Sequence, residues 1–245
     1  MYQESDRATG LLHDEQRGRL VRAFLGTHLI RSAARFLPNC HIRHRLPSNS
    51  RVAALTFEDG PHPDSTSELL SLLKEWKLPA TFFLVGEQAA RYPQLVAEIV
   101  RCGHAVGNHT YHHADTWRLT MREAIREIRD CSRVLDAVTG KLPTWWRPPY
   151  GHVTNRLVDW CQRQGLQTAL WDVMAADGSS HGSIRAVEKS LERQIRPGSI
   201  ISLKDDPRTI ARTATALRNS LPRLLEHGWR FECLEAERDA RCPRG

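Results

Sequence analysis

From Arg51 onward the chain alternates short runs of β-branched and aromatic residues with longer stretches whose apolar positions recur at helical spacing. The strand-like runs are Val52–Phe57, Ala80–Val85, His104–Gly107, Thr144–Arg147, Gln167–Trp171, Ser199–Lys204 and Arg230–Leu234. Helical patterns cover Ser65–Trp76, Pro93–Cys102, Thr120–Val138, Asn155–Gln164, Ile184–Ile195 and Thr209–His227. A strand facing a core on both sides reads as a short apolar run, and a helix with one buried face shows the 3.6-residue period. Strict alternation of the two predicts an α/β fold with parallel strands inside and helices outside. Six or seven such units, with no G-x-G-x-x-G or P-loop, fit a (β/α) barrel better than an open nucleotide-binding sheet.

Residues 1–50 do not share this rhythm. Leu20, Val21, Phe24, Leu25, Leu29, Ala33, Phe36 and Leu37 recur at helical spacing, with Arg19, Arg22, Arg31 and Arg35 around them. This predicts an amphipathic helix, which either packs on the neighbouring domain or rests on an anionic membrane surface. Pro38, Pro47 and Ser48-Asn49-Ser50 mark a linker. The expected organisation is therefore an N-terminal helical extension and linker over residues 1–50 and a barrel domain over 51–245.

Composition narrows the partners. The formal net charge is +7, but the arginines are dispersed and no strip interleaves them with exposed aromatics, so no nucleic-acid partner is expected. The cysteines, Cys40, Cys102, Cys131, Cys161, Cys233 and Cys242, include no C-x-x-C pair, which argues against a cysteine zinc site. Several fall in helix or strand patterns, where a small buried thiol is the usual outcome. Glu4, Asp6, Asp14 and Glu15 precede any apolar run, unlike a signal peptide, and no run is long enough to span a bilayer. A cytoplasmic location follows as the expectation, with peripheral membrane contact through the N-terminal helix as its variant.

Polar residues gather after the strands. The first strand ends in LTFEDGPHPD, Leu55–Asp64, where Glu58 and Asp59 precede a Gly-Pro turn. Paired acids at that place either build a site or merely make the turn. GNHTYHH follows the third strand and sets His109 and His113 four residues apart. If that turn is helical, both imidazoles lie on one face and can grip one metal, although His112 leaves other pairings open. WWRPPYG ends the fourth strand, where two prolines fix a turn able to hold Arg147 near the acids and Tyr150 at a pocket mouth. Asp172 and Asp177 follow the fifth strand, and Lys204, Asp205 and Asp206 close the sixth. In a barrel these ends all face one rim, where barrel active sites are built.

TFEDGPHP, HTYHH and RPPYG, in this order and spacing, resemble the polysaccharide deacetylase family, also called the NodB-homology or carbohydrate esterase family 4 domain. The resemblance runs from about Arg51 to Leu234. It implies a distorted (β/α)7 barrel and a divalent metal, zinc first, with cobalt, nickel or manganese as alternatives. It also implies a hydrolase that removes an N-acetyl or other small N-acyl group from an amino sugar, in an oligosaccharide or glycan precursor. By position, Asp59, His109 and His113 match the metal ligands, Glu58 the catalytic base and Arg147 the arginine that orients it. Asp177 matches the aspartate that tunes the acid, and Tyr150 the residue whose backbone N–H holds the oxyanion.

The departures from the family pattern are local. Glu58 stands where the family has aspartate, and Lys204 where it has the histidine that protonates the leaving amine. Met174 and Gly178 replace an aspartate and a tryptophan. A lysine, with a pKa of about 10.4 when free, serves as that acid only if its surroundings lower it toward neutrality. One reading is a metal-dependent N-deacetylase using a Glu58–Lys204 pair. The alternative is a non-catalytic relative that binds a glycan or protein partner through the retained barrel and metal site.

Overall fold

The computed structural model describes residues 41–175, 177–178 and 182–234. The helix read over residues 19–37 lies outside these described residues. The first elements are β1 (Ile42–Arg43) and β2 (Val52–Glu58), then α1 (Pro63–Trp76) and β3 (Thr81–Leu84). Next come α2 (Gly86–Arg91), α3 (Pro93–Arg101), β4 (Ala105–Asn108), α4 (Met121–Thr139) and β5 (Trp145–Trp146). The chain continues through α5 (Asn155–Arg163), β6 (Gln167–Ala169), β7 (Val173–Met174) and α6 (Ile184–Gln194). It finishes with β8 (Ile200–Lys204), α7 (Ile210–Glu226) and β9 (Arg230–Phe231).

The strands form one parallel sheet in the order β1-β6-β5-β4-β3-β2-β8-β7, with β9 on β2. Ala169 ends β6 and Val173 begins β7, yet the two strands stand near opposite ends of that order. So short a link reaches at most about 14 Å, so the sheet curls until its margins nearly meet. Across this seam Asp172 accepts from Ser199 Oγ and the Ile200 N–H, both at 2.9 Å, and pairs with Arg45 Nε at 3.3 Å. The result is the expected distorted (β/α)7 barrel.

β2 is buried along its whole length, as befits a parallel strand covered on both faces. Its side chains alternate. Leu55 and Phe57 join Leu69, Leu73 and Phe82 in the main core between sheet and helices. Ala54 instead packs with Phe83, Trp145, Ala169 and Ile200 in a second, smaller cluster. By the period of two, Thr56 and Glu58 share the face of Ala54. The strand thus carries its polar end into the barrel.

Registers align the rim. Glu58 is opposite Lys204 and Phe83, Leu84 is opposite Asn108, and Asn108 is opposite Trp146. The residues that end or follow β2, β4, β5 and β8 therefore emerge side by side. Cys131 and Cys161 are buried thiols, and burial pushes the Cys131 thiol up to about 12, so both act as apolar filler. Among the described residues, no helix is long and apolar enough to cross a membrane.

Three local features differ from the sequence reading. Ile42–Arg43, inside the segment read as linker, pairs with β6 and so belongs to the sheet. Two residues are too few to show a period. The helix Gly86–Arg91 begins directly after β3 and buries only Gly86 and Ala89, leaving no amphipathic signal. The run Gln167–Trp171 becomes β6 alone, with β7 beginning two residues past its end, because the chain crosses the seam there.

Candidate active site

Glu58 is the last residue of β2 and is buried. Its two oxygens are held separately: Oε2 accepts from Arg147 Nη1 at 3.2 Å and Oε1 from Lys204 Nζ at 2.8 Å. Burial alone would raise the Glu58 carboxyl, but the Lys204 ammonium and the Arg147 guanidinium outweigh it and hold it at about 2. Arg147 is itself wholly buried. Its guanidinium donates to Thr56 Oγ1 at 2.8 Å and to the Ala169 and Leu170 carbonyls at 3.3 Å, and lies 4.2 Å above the Phe83 ring. A buried cation with this many acceptors is anchored, not mobile.

Asp59 begins the turn that leaves the sheet. Its Oδ1 lies 3.3 Å from His109 Nε2 and 3.1 Å from His113 Nε2, while Oδ2 pairs with Lys204 Nζ at 2.8 Å. His109 Nδ1 is 2.8 Å from the Arg147 carbonyl. A carbonyl can only accept, so Nδ1 carries the proton and Nε2 presents its lone pair toward Asp59. Asp59 Oδ1, His109 Nε2 and His113 Nε2 are buried and have no hydrogen-bond partner. They lie within 4.8 Å of one another. Three converging acceptors of this kind suit a divalent cation, and two imidazoles with one carboxylate leave further coordination positions open.

The pair of histidines is not presented by a helix, as their spacing predicts. Residues 109–113 form an irregular turn in which Thr110 and His113 have φ of 63° and 56°. Asn108 Oδ1 accepts from the Thr110 N–H at 2.8 Å, and Glu127 Oε2 accepts from the Tyr111 and His112 N–H groups at 3.0 and 2.8 Å. His112 turns away and sets Nδ1 2.8 Å from Glu127 Oε1, which resolves the pairing in favour of His109 and His113. Of the five non-glycine residues with positive φ among those described, Asp59, Thr110, His113 and Tyr150 lie here. Such conformations persist where the surroundings over-determine them, and they gather at functional sites.

Lys204 departs from expectation in charge. Burial lowers its pKa, but the Glu58 and Asp59 carboxylates more than reverse this and hold the ammonium above its ordinary value. The lowering toward neutrality that an easy proton donor needs is not present. Asp177 sits behind Lys204 and accepts its backbone N–H at 2.7 Å and the Thr213 hydroxyl at 2.9 Å. It positions the lysine through the main chain, not through the ammonium. Beside it, a Cβ on Gly178 would stand 3.2 Å from Lys204 Cε and 3.3 Å from Cγ. The glycine leaves room for the lysine stem.

Tyr150 lies at the rim with φ of 61° and is 59% exposed. Gly151 and His152 bond back to Pro148 and Pro149, and the Tyr150 N–H takes part in neither turn. A cleft of about 860 Å³ runs over the site, lined by Asp59, His113, Tyr150, Gly178, Lys204 and Arg208 among others. Asp172 is not part of it, since it ties the seam. Asp205 lies beneath, with Ser65 and Thr66 hydroxyls donating to its oxygens at 2.5 and 2.6 Å. Thr56, Glu127, Ser65 and Thr66 are supporting residues that sequence reasoning missed, whereas Asp205 reads there as one of the acids closing the sixth strand. Thr56 alone carried a signal, two residues before Glu58 on the same strand face.

The sequence profile described as Polysaccharide deacetylase matches residues 45–169. The chain belongs to the polysaccharide deacetylase family. It is 30% identical over 196 residues to a peptidoglycan-N-acetylglucosamine deacetylase of Bacillus cereus, covering 79% of this chain and 91% of that one. It is 34% identical over 199 residues to a chitooligosaccharide deacetylase of Bradyrhizobium sp., covering 76% and 90%. Among solved structures, a peptidoglycan N-acetylglucosamine deacetylase superposes with a TM-score of 0.77 at 30% identity, over 81% of this chain and 95% of that one. A mutant of a Bacillus anthracis pseudoenzyme of carbohydrate esterase family 4, with restored enzymatic activity, gives 0.73 at 25% identity, over 79% and 69%.

Proposed function

We propose that this polysaccharide deacetylase hydrolyses the N-acetyl group of an amino sugar within an oligosaccharide or glycan. The observation that carries the reading is the junction of two sets of atoms. Three orphaned acceptors of Asp59, His109 and His113 sit beside a carboxylate, Glu58, that is ionised and fixed between two cations. Zinc suits two imidazoles and one carboxylate. Held there by Asp59, His109 and His113, it would supply Lewis acidity toward the acetamide carbonyl and the attacking water.

The chain's own groups supply the proton traffic. Glu58 takes a proton from the attacking water, and Arg147 keeps its carboxylate aimed. The Tyr150 N–H donates to the developing oxyanion. Glu58 Oε1 then returns the proton taken from water to the departing amine, while Lys204, held as an ammonium 2.8 Å away, keeps this oxygen in place. Protons balance, since the one lost by water ends on the amine. Glu58 at about 2 is a weak base, so this geometry favours slow turnover over fast.

The experiment is acetate release from N-acetylated chitooligosaccharides by zinc-loaded protein, beside Glu58→Gln. Release that the substitution reduces by about a hundredfold or more supports the assignment, and no release across the panel overturns it. A second reading has a specific observation behind it: both oxygens of Glu58 are engaged and Lys204 is held protonated. This favours a binding protein in place of an enzyme. Activity that appears only in the double variant Glu58→Asp, Lys204→His would decide for it.

A further inference from the structure

Outside the cleft lining, the described surface carries one rigidly held and exposed aromatic assembly, centred on Trp117. The residue lies in a single 3-10 turn, Thr116–Arg118, capped by Asp115, whose Oδ1 accepts from the Trp117 N–H at 3.1 Å. Its indole Nε1–H donates to the Val153 carbonyl at 3.2 Å. One face of the indole is covered by His152, stacked at 3.9 Å and 5°. His152 is in turn fixed by Nδ1 at 2.8 Å from Asp115 Oδ1. Despite these attachments, Trp117 remains 49% exposed.

The combination is unusual energetically. Leaving half of a tryptophan in water forfeits hydrophobic stabilisation, and ordering it on the surface costs side-chain entropy. Folding gains little from such an arrangement. Binding gains from it, because a ring held in place before the ligand arrives has no ordering cost left to meet. The assembly is also continuous with the reaction centre. His113 and Tyr150 ring centroids are 5.0 Å apart, and Tyr150 and His152 are 5.7 Å apart. An aromatic path thus leads from a metal-ligand histidine, over the rim, to the open face of Trp117.

We propose that Trp117, backed by His152 and Asp115, is a sugar-binding subsite for a pyranose ring remote from the N-acetyl group being cleaved. The inference rests on the deacetylase reading above and gives its substrate a minimum length. A pyranose presents an apolar face of axial C–H groups that stacks on an indole, and its hydroxyls project sideways to polar neighbours such as Asp115. The occupant is therefore an oligosaccharide bound along the path, not a free amino sugar.

The test uses zinc-loaded protein and N-acetylated chitooligosaccharides of two to six units. For the wild type, kcat/KM rises with length until the chain reaches Trp117. In Trp117→Ala the ratio of kcat/KM for the hexamer over the dimer falls by about tenfold, carried by KM, and Trp117→Phe restores most of it. An unchanged ratio in both variants, with acetate still released, overturns the subsite and leaves the deacetylase reading intact. If no substrate releases acetate, that reading fails, and calorimetric titration with the hexamer decides the subsite on its own. About tenfold weaker binding by Trp117→Ala then supports it, and equal binding overturns it. Circular dichroism of both variants separates a lost subsite from a lost fold.

Discussion

At the scale of single residues, Lys204 sets the character of this site. Its ammonium lies 2.8 Å from both Glu58 Oε1 and Asp59 Oδ2, so a fixed positive charge sits against the group that would hold a divalent cation. Like charges this close repel strongly in a partly buried setting. Lys204→Met is therefore expected to tighten zinc binding by about tenfold or more, read by competition with a chromogenic chelator. Unchanged affinity would show that the ammonium swings away when the metal enters. His109→Ala has the opposite sign: it removes a ligand and should leave the purified protein without stoichiometric metal, measured by elemental analysis. These residues were legible from their motifs. What the motifs could not show is which carboxylate oxygen meets which cation, because that depends on how β2 and β8 lie in register.

At the scale of elements, the turn after β4 is held from outside. α4 contributes Glu127, whose carboxylate takes up two N–H groups and one imidazole from residues 111–112. Glu127→Ala should weaken metal binding by about tenfold while the barrel stays folded, and a calorimetric titration would show it. The turn after β2 is held by close approach. A Cβ on Gly60 would overlap the Asp205 carboxylate, so Gly60→Ala should cost about 1–3 kcal/mol in urea unfolding. Spacing suggested a helix for His109–His113, since four residues is one helical turn. The chain instead uses two left-handed residues, and local sequence does not report such backbone choices when tertiary hydrogen bonds fix them. The long helices and strands were legible for the opposite reason, as each carries its own periodic face.

At the scale of the whole molecule, burial of acids gives stability a pH dependence. Burial raises the Asp205 carboxyl to about 6, although the Ser65 and Thr66 hydroxyls pull it down. A folded pKa above the unfolded one means that this group's favourable contribution is complete below about 3.9 and is lost as pH rises through 6. Asp205→Asn removes that dependence. Relative to the wild type, the variant should gain about 2 kcal/mol in urea unfolding between pH 4.5 and 7.5; a constant difference across that range would contradict it. The barrel as a whole was legible in the alternation of strands and helices. Its seam was not, because β1 and β7 are two residues each and the ties across it run through Asp172, a residue that reads from sequence as one more rim acid.

Arg147 joins the two halves of the site by different parts of itself. Its guanidinium steadies Glu58, and its carbonyl fixes the tautomer of His109. Arg147→Lys breaks the first connection and should destabilise the fold by about 3 kcal/mol or more, yet it leaves the second untouched. Side-chain scanning is therefore blind to half of what this position contributes. The hidden half becomes accessible by chemical synthesis, exchanging the Arg147 carbonyl oxygen for sulfur in a thioamide, whose larger and poorer acceptor atom slackens the grip on His109 while every side chain stays in place.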